Sequence, residues 1–194
     1  MDFTRKPLRV ALVLALTVAI SPLVIAAPKF KIDPVMSAVI FKIKHLGISD
    51  AYGRFNEITG TYTIDAEDPA KSSIEVTIPA ASVDTNNKKR DDHLRGSDFF
   101  KVKQFPNITF KSTSIKAAGK GKFKITGEVT LLGKTKTVEC DLVHTGDGKG
   151  FKGETRSGYQ ATMTIKRSEF GMTYGLKNMG DEVTLTISIQ GHVI

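Results

Sequence analysis

Cysteine is almost missing: Cys140 stands alone in 194 residues. A domain that relied on disulfides would carry an even set, so stability has to come from an apolar core. Cys140 alternates with Val138 and Leu142 in TVECDLV and reads as part of that core. After residue 27 no apolar run approaches the roughly 20 residues needed to cross a bilayer. The sequence has no GxSxG, HExxH or CxxC, so hydrolase elbows, zincin helices and dithiol sites are excluded, and no metal or cofactor is expected. GEVTLLGKT ends like a phosphate loop, but five residues separate Gly127 from Gly133 where that motif needs four. Gly133 and Lys134 read instead as a hairpin turn. Cys140 and His144 do not form a zinc pair, because four strand residues span about 13 Å while each ligand must lie about 2 Å from the metal.

Residues 1–26 have the pattern of an export signal. Arg5, Lys6 and Arg9 give a basic start, Val10–Ile20 is unbroken Ala, Val, Leu, Ile and Thr, and SPLVIAA supplies small residues at a cleavage site. Cleavage is expected after Ala26, with Val24 and Ala26 at the positions the peptidase reads. Ser21 and Pro22 interrupt the run, which argues against an uncleaved anchor. A soluble, exported domain over residues 27–194 is the expectation. Removal of the leader takes the formal charge from +8 to +6, with 25 basic against 19 acidic residues. That surplus suits contact with anionic lipid or a phosphate head group, and equally plain solubility. The lysines are scattered through KAAGKGKFK and LLGKTKTV without interleaved aromatics, so nucleic acid is not an expected partner.

What the chain has in quantity is two-residue alternation. Val39, Phe41, Ile43 and His45 share one face of SAVIFKIKHL. The same period recurs at Ile74, Val76 and Ile78; at Phe123, Ile125, Val129 and Leu131; at Ala161, Met163 and Ile165; and at Val183, Leu185, Ile187 and Ile189. Short polar turns such as AEDPAK and AAGKGK separate the runs, and Thr145–Gly153 reads as a mobile hairpin loop. Eight or nine such strands describe an antiparallel sandwich or barrel. A barrel of about eight strands encloses either packed side chains or one small ligand.

One stretch breaks the period. NNKKRDDHLRG, from Asn86, contains one large apolar residue, Leu94, and predicts a surface helix with Asp84 or Thr85 as N-cap and Gly96 as its stop. Ser97 offers a second cap, and Phe99, Phe100, Val102 and Phe105 follow within seven residues. These rings need an apolar volume, and the end of a barrel provides it. They read either as a plug completing the core or as a lid lining a ligand mouth, with Arg90, His93 and Arg95 toward a polar head group. The sequon Asn107–Thr109 reads as incidental.

At these residues the chain resembles the YceI-like family of periplasmic polyisoprenoid-binding proteins. Asp84–Thr113 carries an Arg-Asp-x-His-Leu helix, a Phe-Phe pair and a Phe-Pro; Ile32–Asp65 resembles the family's opening strands; and Ala161–Ile189 carries Arg-Ser-x-Phe-Gly-Met and Gly-Asp-Glu-Val. Met36, Leu132 and Thr137 depart from residues common in the family. The resemblance implies an all-β fold, a lipocalin-like antiparallel eight-stranded β-barrel with a short helix covering one end. It also implies a long isoprenoid, of quinone or prenyl phosphate type, or another amphiphile in the interior, for storage, transport or stress protection. Each isoprene unit, about five carbons at ~0.8 kcal/mol each, gains roughly 4 kcal/mol on leaving water. Slow release and co-purification of the ligand follow.

The expected apolar pocket comprises Phe41, Ile43, Phe55, Phe99, Phe100, Phe105, Phe110, Met163, Phe170, Met172 and Tyr174, with Arg90, His93 and Arg95 at the head group. The expected partners are an isoprenoid or other amphiphilic lipid, transient contact with an anionic membrane surface, and a second copy of the chain in a homodimer. Shape and apolar burial suffice for binding, so no catalytic residue is expected. Two rivals are a lipid-modifying enzyme using His93 with Asp91, and a ligand-free envelope stress protein acting through its basic surface.

Overall fold

The computed structural model describes residues 26–194; apart from Ala26, the expected leader and its cleavage signal lie outside the described residues. The described chain forms eleven strands and one α-helix: β1 (Lys29–Ile32), β2 (Ala38–His45), β3 (Ser49–Phe55), β4 (Thr59–Thr63), β5 (Ser73–Pro79), β6 (Val83–Asp84), α1 (Lys88–Arg95), β7 (Asn107–Gly119), β8 (Lys122–Leu131), β9 (Lys134–Lys149), β10 (Thr155–Lys166) and β11 (Met179–Val193). They close into one antiparallel sheet in which β1 and β2 both pair with β11.

The eleven strands make eight staves. β1 and β2 run in succession along β11, β3 and β4 run in succession beside them, and β5 and β6 form the third stave. Each of β7 to β11 is a stave of its own and pairs with the next. Closure pairs every long stave with a neighbour on both sides for part of its length, although β7 beyond Lys111 pairs only with β8 and β9 before Asp141 pairs only with β8. Because every stave lies within Lys29–Val193, the barrel is complete without residues 1–25.

The alternating residues take the inner face. Val39, Ile74, Ile125, Cys140, Leu142, Met163 and Ile189 are all buried. Glycine occupies two inner positions for a steric reason. A Cβ on Gly53 would run into the Phe41 ring, and one on Gly127 into the Phe110 ring, so each ring occupies the space left by a glycine of the neighbouring strand.

Three local expectations are corrected. Thr145–Gly153 is not a loop for most of its length. β9 continues to Lys149 and pairs with β10 as far as Thr155, leaving a short turn at 150–154. Gly146, at φ 154, carries the strand through a backbone conformation that other residues rarely adopt, opposite an irregularity at Gly158 and Tyr159. The α1 cap is Asn87 rather than Asp84 or Thr85: its side chain accepts from the Arg90 N–H at 3.0 Å. Asp84 belongs to β6, and Ser97 starts a tight turn, not a helix.

Eight residues are too few for a helix stable on its own, so α1 depends on its tethers. The buried Asp91 carboxylate accepts from the Thr85 N–H at 2.8 Å and from the Thr85 hydroxyl at 2.5 Å. Arg95 donates to the Ala81 and Val83 carbonyls at 2.8 and 2.7 Å.

The two ends of the barrel differ. At the end carrying β1, Phe30 stacks on Tyr62 with centroids 5.2 Å apart, Tyr159 meets Tyr62 edge-on at 5.5 Å, and the Tyr62 hydroxyl donates to the Ser157 carbonyl at 2.6 Å. Burial pushes the Tyr62 phenol above its ordinary pKa. The opposite end holds the β2–β3 turn, the insert from Ala80 to Pro106, the β8–β9 turn and the β10–β11 connection.

Candidate functional site

A cavity of about 530 Å³ opens inside this second end, within the roughly 300–1,000 Å³ typical of small-molecule sites. All eight staves contribute to its wall, from Phe41 and Ile43 on β2 through Phe110 on β7 to Val183, Leu185 and Ile187 on β11. Several of these inward-facing apolar residues are only partly covered, although their strand positions point them at the core. Phe41 and Phe110 take the space that a side chain at Gly53 or Gly127 would occupy, and both line the cavity.

The insert supplies the cover. Leu94, the single large apolar residue of α1, lines the cavity with Phe99 and Phe100 from the following turn. Phe100 meets Phe55 edge-on at 5.5 Å. Phe99 is buried and packs against His93 at 5.0 Å and Tyr174 at 5.3 Å. The cover is hinged to the wall incompletely. β3 pairs with β6 only at Arg54 and Phe55, so Ser49–Gly53 have β2 on one side and no strand on the other. Part of the polar lining gathers at this gap, with His45, Ser49 and Asp50 on one side and Thr85 and Arg90 on the other.

Eight of the eleven expected apolar residues line the cavity: Phe41, Ile43, Phe55, Phe99, Phe100, Phe110, Met163 and Met172. Three do not. Phe105 packs over the β8–β9 turn, where a Cβ on Gly133 would meet its ring at 2.7 Å. Phe170 is buried elsewhere in the core, and Tyr174 is half exposed beside His93 at 5.3 Å.

The three expected head-group residues separate. Arg90 lines the cavity, its Nε donating to the Thr85 hydroxyl and its Nη2 to the Thr85 carbonyl, both at 2.7 Å. His93 lies outside the lining and pairs with Asp98 at 2.9 Å. Arg95 is occupied in tethering the helix. The departures Met36, Leu132 and Thr137 are all outside the lining.

Two charged lining residues have no counterpart in the sequence-based set. Asp50 pairs with Lys44 at 2.7 Å, a hydrogen bond that holds its carboxyl below the usual range. Arg167 is 2 % exposed, and its guanidinium donates to four backbone carbonyls: Gly180 at 2.8 Å, Met172 at 3.0 Å, Tyr174 at 2.8 Å and Met179 at 3.2 Å. Burial lowers its pKa, while Asp181 nearby favours the charged form. Arg167 thus pins the whole 172–180 segment against the cavity. The alternation carried the signal for it: Ala161, Met163 and Ile165 face inward, and residue 167 has the same parity.

The chemistry of the site is that of a container. Apolar wall dominates, and charge is confined to the open end. Asp91 is bound to Thr85 and His93 to Asp98, so the two do not act on each other. Among the described residues, no three His, Cys, Asp or Glu side chains group closely enough to hold a metal ion.

A family model for the YceI-like domain matches residues 30–191, nearly the whole barrel. This chain belongs to the YceI-like family. A UPF0312 protein of Ectopseudomonas mendocina (strain ymp) is 42% identical over 153 residues, covering 79% of this chain and 80% of the relative. Among solved structures, BcnA of Burkholderia cenocepacia superposes with a TM-score of 0.75 at 28% identity, covering 82% of this chain and 98% of that one. A polyisoprenoid binding domain from Saccharophagus degradans, implicated in plant cell wall breakdown, superposes with a TM-score of 0.66, covering 87% of this chain and 99% of that one. At 14% identity it shows a shared YceI barrel and nothing finer.

Proposed function

We propose that this YceI-like protein is an exported carrier that holds the apolar chain of an isoprenoid-type lipid in its barrel and leaves a polar head group at the open end. The observation that carries this reading is the cavity of about 530 Å³ walled by all eight staves, several of whose inward-facing apolar residues, Phe41, Phe110 and Leu185 among them, are only partly covered. Uncovered apolar surface inside a folded protein forfeits hydrophobic stabilisation and dispersion contacts, and an apolar guest restores both. The name of the Saccharophagus neighbour, a polyisoprenoid binding domain, supports an isoprenoid over other lipids. Arg90, whose Nη1 makes no hydrogen bond among the described residues, suits a quinone carbonyl or a prenyl phosphate at the open end. The leader-like residues 1–26 support action in the periplasm, in storage, transport or stress protection of the lipid.

Binding is favoured over catalysis because His93 and Asp91 point their bonds at separate partners outside a common reaction centre. Organic extraction of the purified protein, followed by mass spectrometry, tests the proposal. The expected result is a stoichiometric lipid with a repeating isoprene pattern. Recovery of straight-chain lipid at the same stoichiometry would overturn the isoprenoid assignment.

A further inference from the structure

The rim of the cavity exposes apolar side chains that the barrel does not use. The β2–β3 turn touches the 171–178 segment directly, the Leu46 N–H donating to the Asn178 carbonyl at 2.6 Å. On these two neighbouring loops Leu46 is 53% exposed, Ile48 82%, Tyr174 48% and Leu176 40%. Tyr52, on the length of β3 that pairs with β2 alone, is 59% exposed.

Leu46 is the telling residue. Leu46 and Gly47 both have positive φ, at 52 and 70 degrees, and the Ile48 N–H returns to the His45 carbonyl at 3.0 Å. This is a β-turn inside a three-residue connection, Leu46–Ile48, between the paired His45 and Ser49; with φ positive at both central residues its first position favours Asn, Asp or Gly, and leucine there is strained. The β8–β9 turn repeats the sequence, with Leu132 and Gly133 at φ 53 and 72 degrees. There the leucine is 8% exposed and joins the core, which compensates the strain. Leu46 has the same strain without the burial.

The end of the barrel that carries the rim has a basic excess. Residues 42–50, 84–106, 134–136 and 166–182, which make up this end, carry thirteen basic and eight acidic side chains. That surplus of five is most of the +6 carried by residues 27–194. Lys42 and Lys44, beside the tips, pair with Asp50, and most of the surplus comes from residues 84–106 and 134–136 at the same end; exposed apolar tips on a basic end are the combination that anchors a protein on an anionic lipid surface.

We propose that this rim, centred on Leu46 and Ile48, is a docking surface for an anionic bilayer, which sets the gap between β3 and α1 over the membrane. The inference rests on the carrier reading for its purpose, since the cargo dissolves in that bilayer. Its physical basis is separate: strain, exposure and charge at the rim.

The test uses the protein lacking residues 1–26, whose barrel is complete, and co-sedimentation with vesicles of phosphatidylcholine alone or mixed with phosphatidylglycerol. Binding is expected on the anionic vesicles and is weakened by salt. The double variant Leu46→Asn, Ile48→Thr should lose about tenfold in vesicle affinity. Asn suits the turn better than leucine, so the variant should fold at least as well as the parent. Neither residue lines the cavity, so its uptake of the fluorescent probe ANS in solution should be unchanged. Phe151→Ser, at the far-end turn, should alter nothing, although Phe151 is fully exposed.

Equal vesicle binding by parent and double variant overturns the proposal, as does absence of binding to anionic vesicles. A concentration-dependent dimer abolished by the double variant also overturns it, by giving the patch to a second copy of the chain. Probe uptake without vesicle binding removes docking and leaves the carrier; docking without probe uptake does the reverse.

Discussion

The two ends of this barrel are built from the same alternating strands and come to opposite states. At the far end Phe30, Tyr62, Tyr159 and Ile32 meet in contact, and even the Tyr62 hydroxyl has a buried partner. At the lid end Phe41, Ile43, Phe110, Leu185 and Ile187 line open space. Hydrophobic alternation therefore specifies which face is inside and leaves open whether the inside is filled. The filling is decided by a few residues: large rings meeting directly at one end, and rings in the space left by inner glycines at the other.

Paired truncations break the comparison most sharply. Ile32→Ala, at a site 1% exposed, is expected to cost about 2–5 kcal/mol in a urea titration of delipidated protein. Ile187→Ala faces the cavity, where no new void forms; its cost should stay below about 1 kcal/mol, and equal costs would show that both ends are packed.

Alkaline pH probes the cavity wall next. Burial raises the Cys140 thiol from 9.0 to about 11. Below pH 9 both folded and unfolded states hold the proton. Between pH 9 and about 11 only the unfolded state sheds it, so stability falls as pH rises through that window, by roughly 2–3 kcal/mol. Tyr62 adds loss in the same direction. Urea midpoints for parent and Cys140→Ala should diverge above pH 9, the variant falling less steeply.

Filling and uncovering the lumen give smaller effects on binding. Ala161 lines the cavity opposite Leu142 and Ile187, and Ala161→Phe should reduce probe uptake about tenfold while leaving the melting temperature unchanged or higher. Added bulk at the packed end acts differently: a Cβ at Gly191 meets the Tyr62 ring at 2.8 Å and the Lys31 carbonyl at 2.9 Å. Gly191→Ala should lower the melting temperature and spare uptake. Phe99→Ala with Phe100→Ala should remain folded and bind about tenfold more weakly; complete unfolding would make the rings a plug.

Much of this arrangement was legible from the sequence. The period gave the inner faces, and the polar break at Asn86–Gly96 announced a helix at one end. The rings after it line the cavity at Phe99 and Phe100, while Phe105 turns aside to pack on Gly133. Sequence spacing does not distinguish these cases, because the turn at Lys101, with φ 49, redirects the chain between them. Arg167 escaped notice although its parity was right, since a cation satisfied by four carbonyls leaves no acidic partner to read. His93 drew attention by its neighbours in sequence, yet its bond is to Asp98 on the surface.

The most direct test of the carrier account is native mass spectrometry of the protein purified under mild conditions. One lipid per barrel is predicted, removed by delipidation, restored by added isoprenoid and taken up poorly by Ala161→Phe. A bare polypeptide mass from the start, unchanged by added isoprenoid, would contradict it.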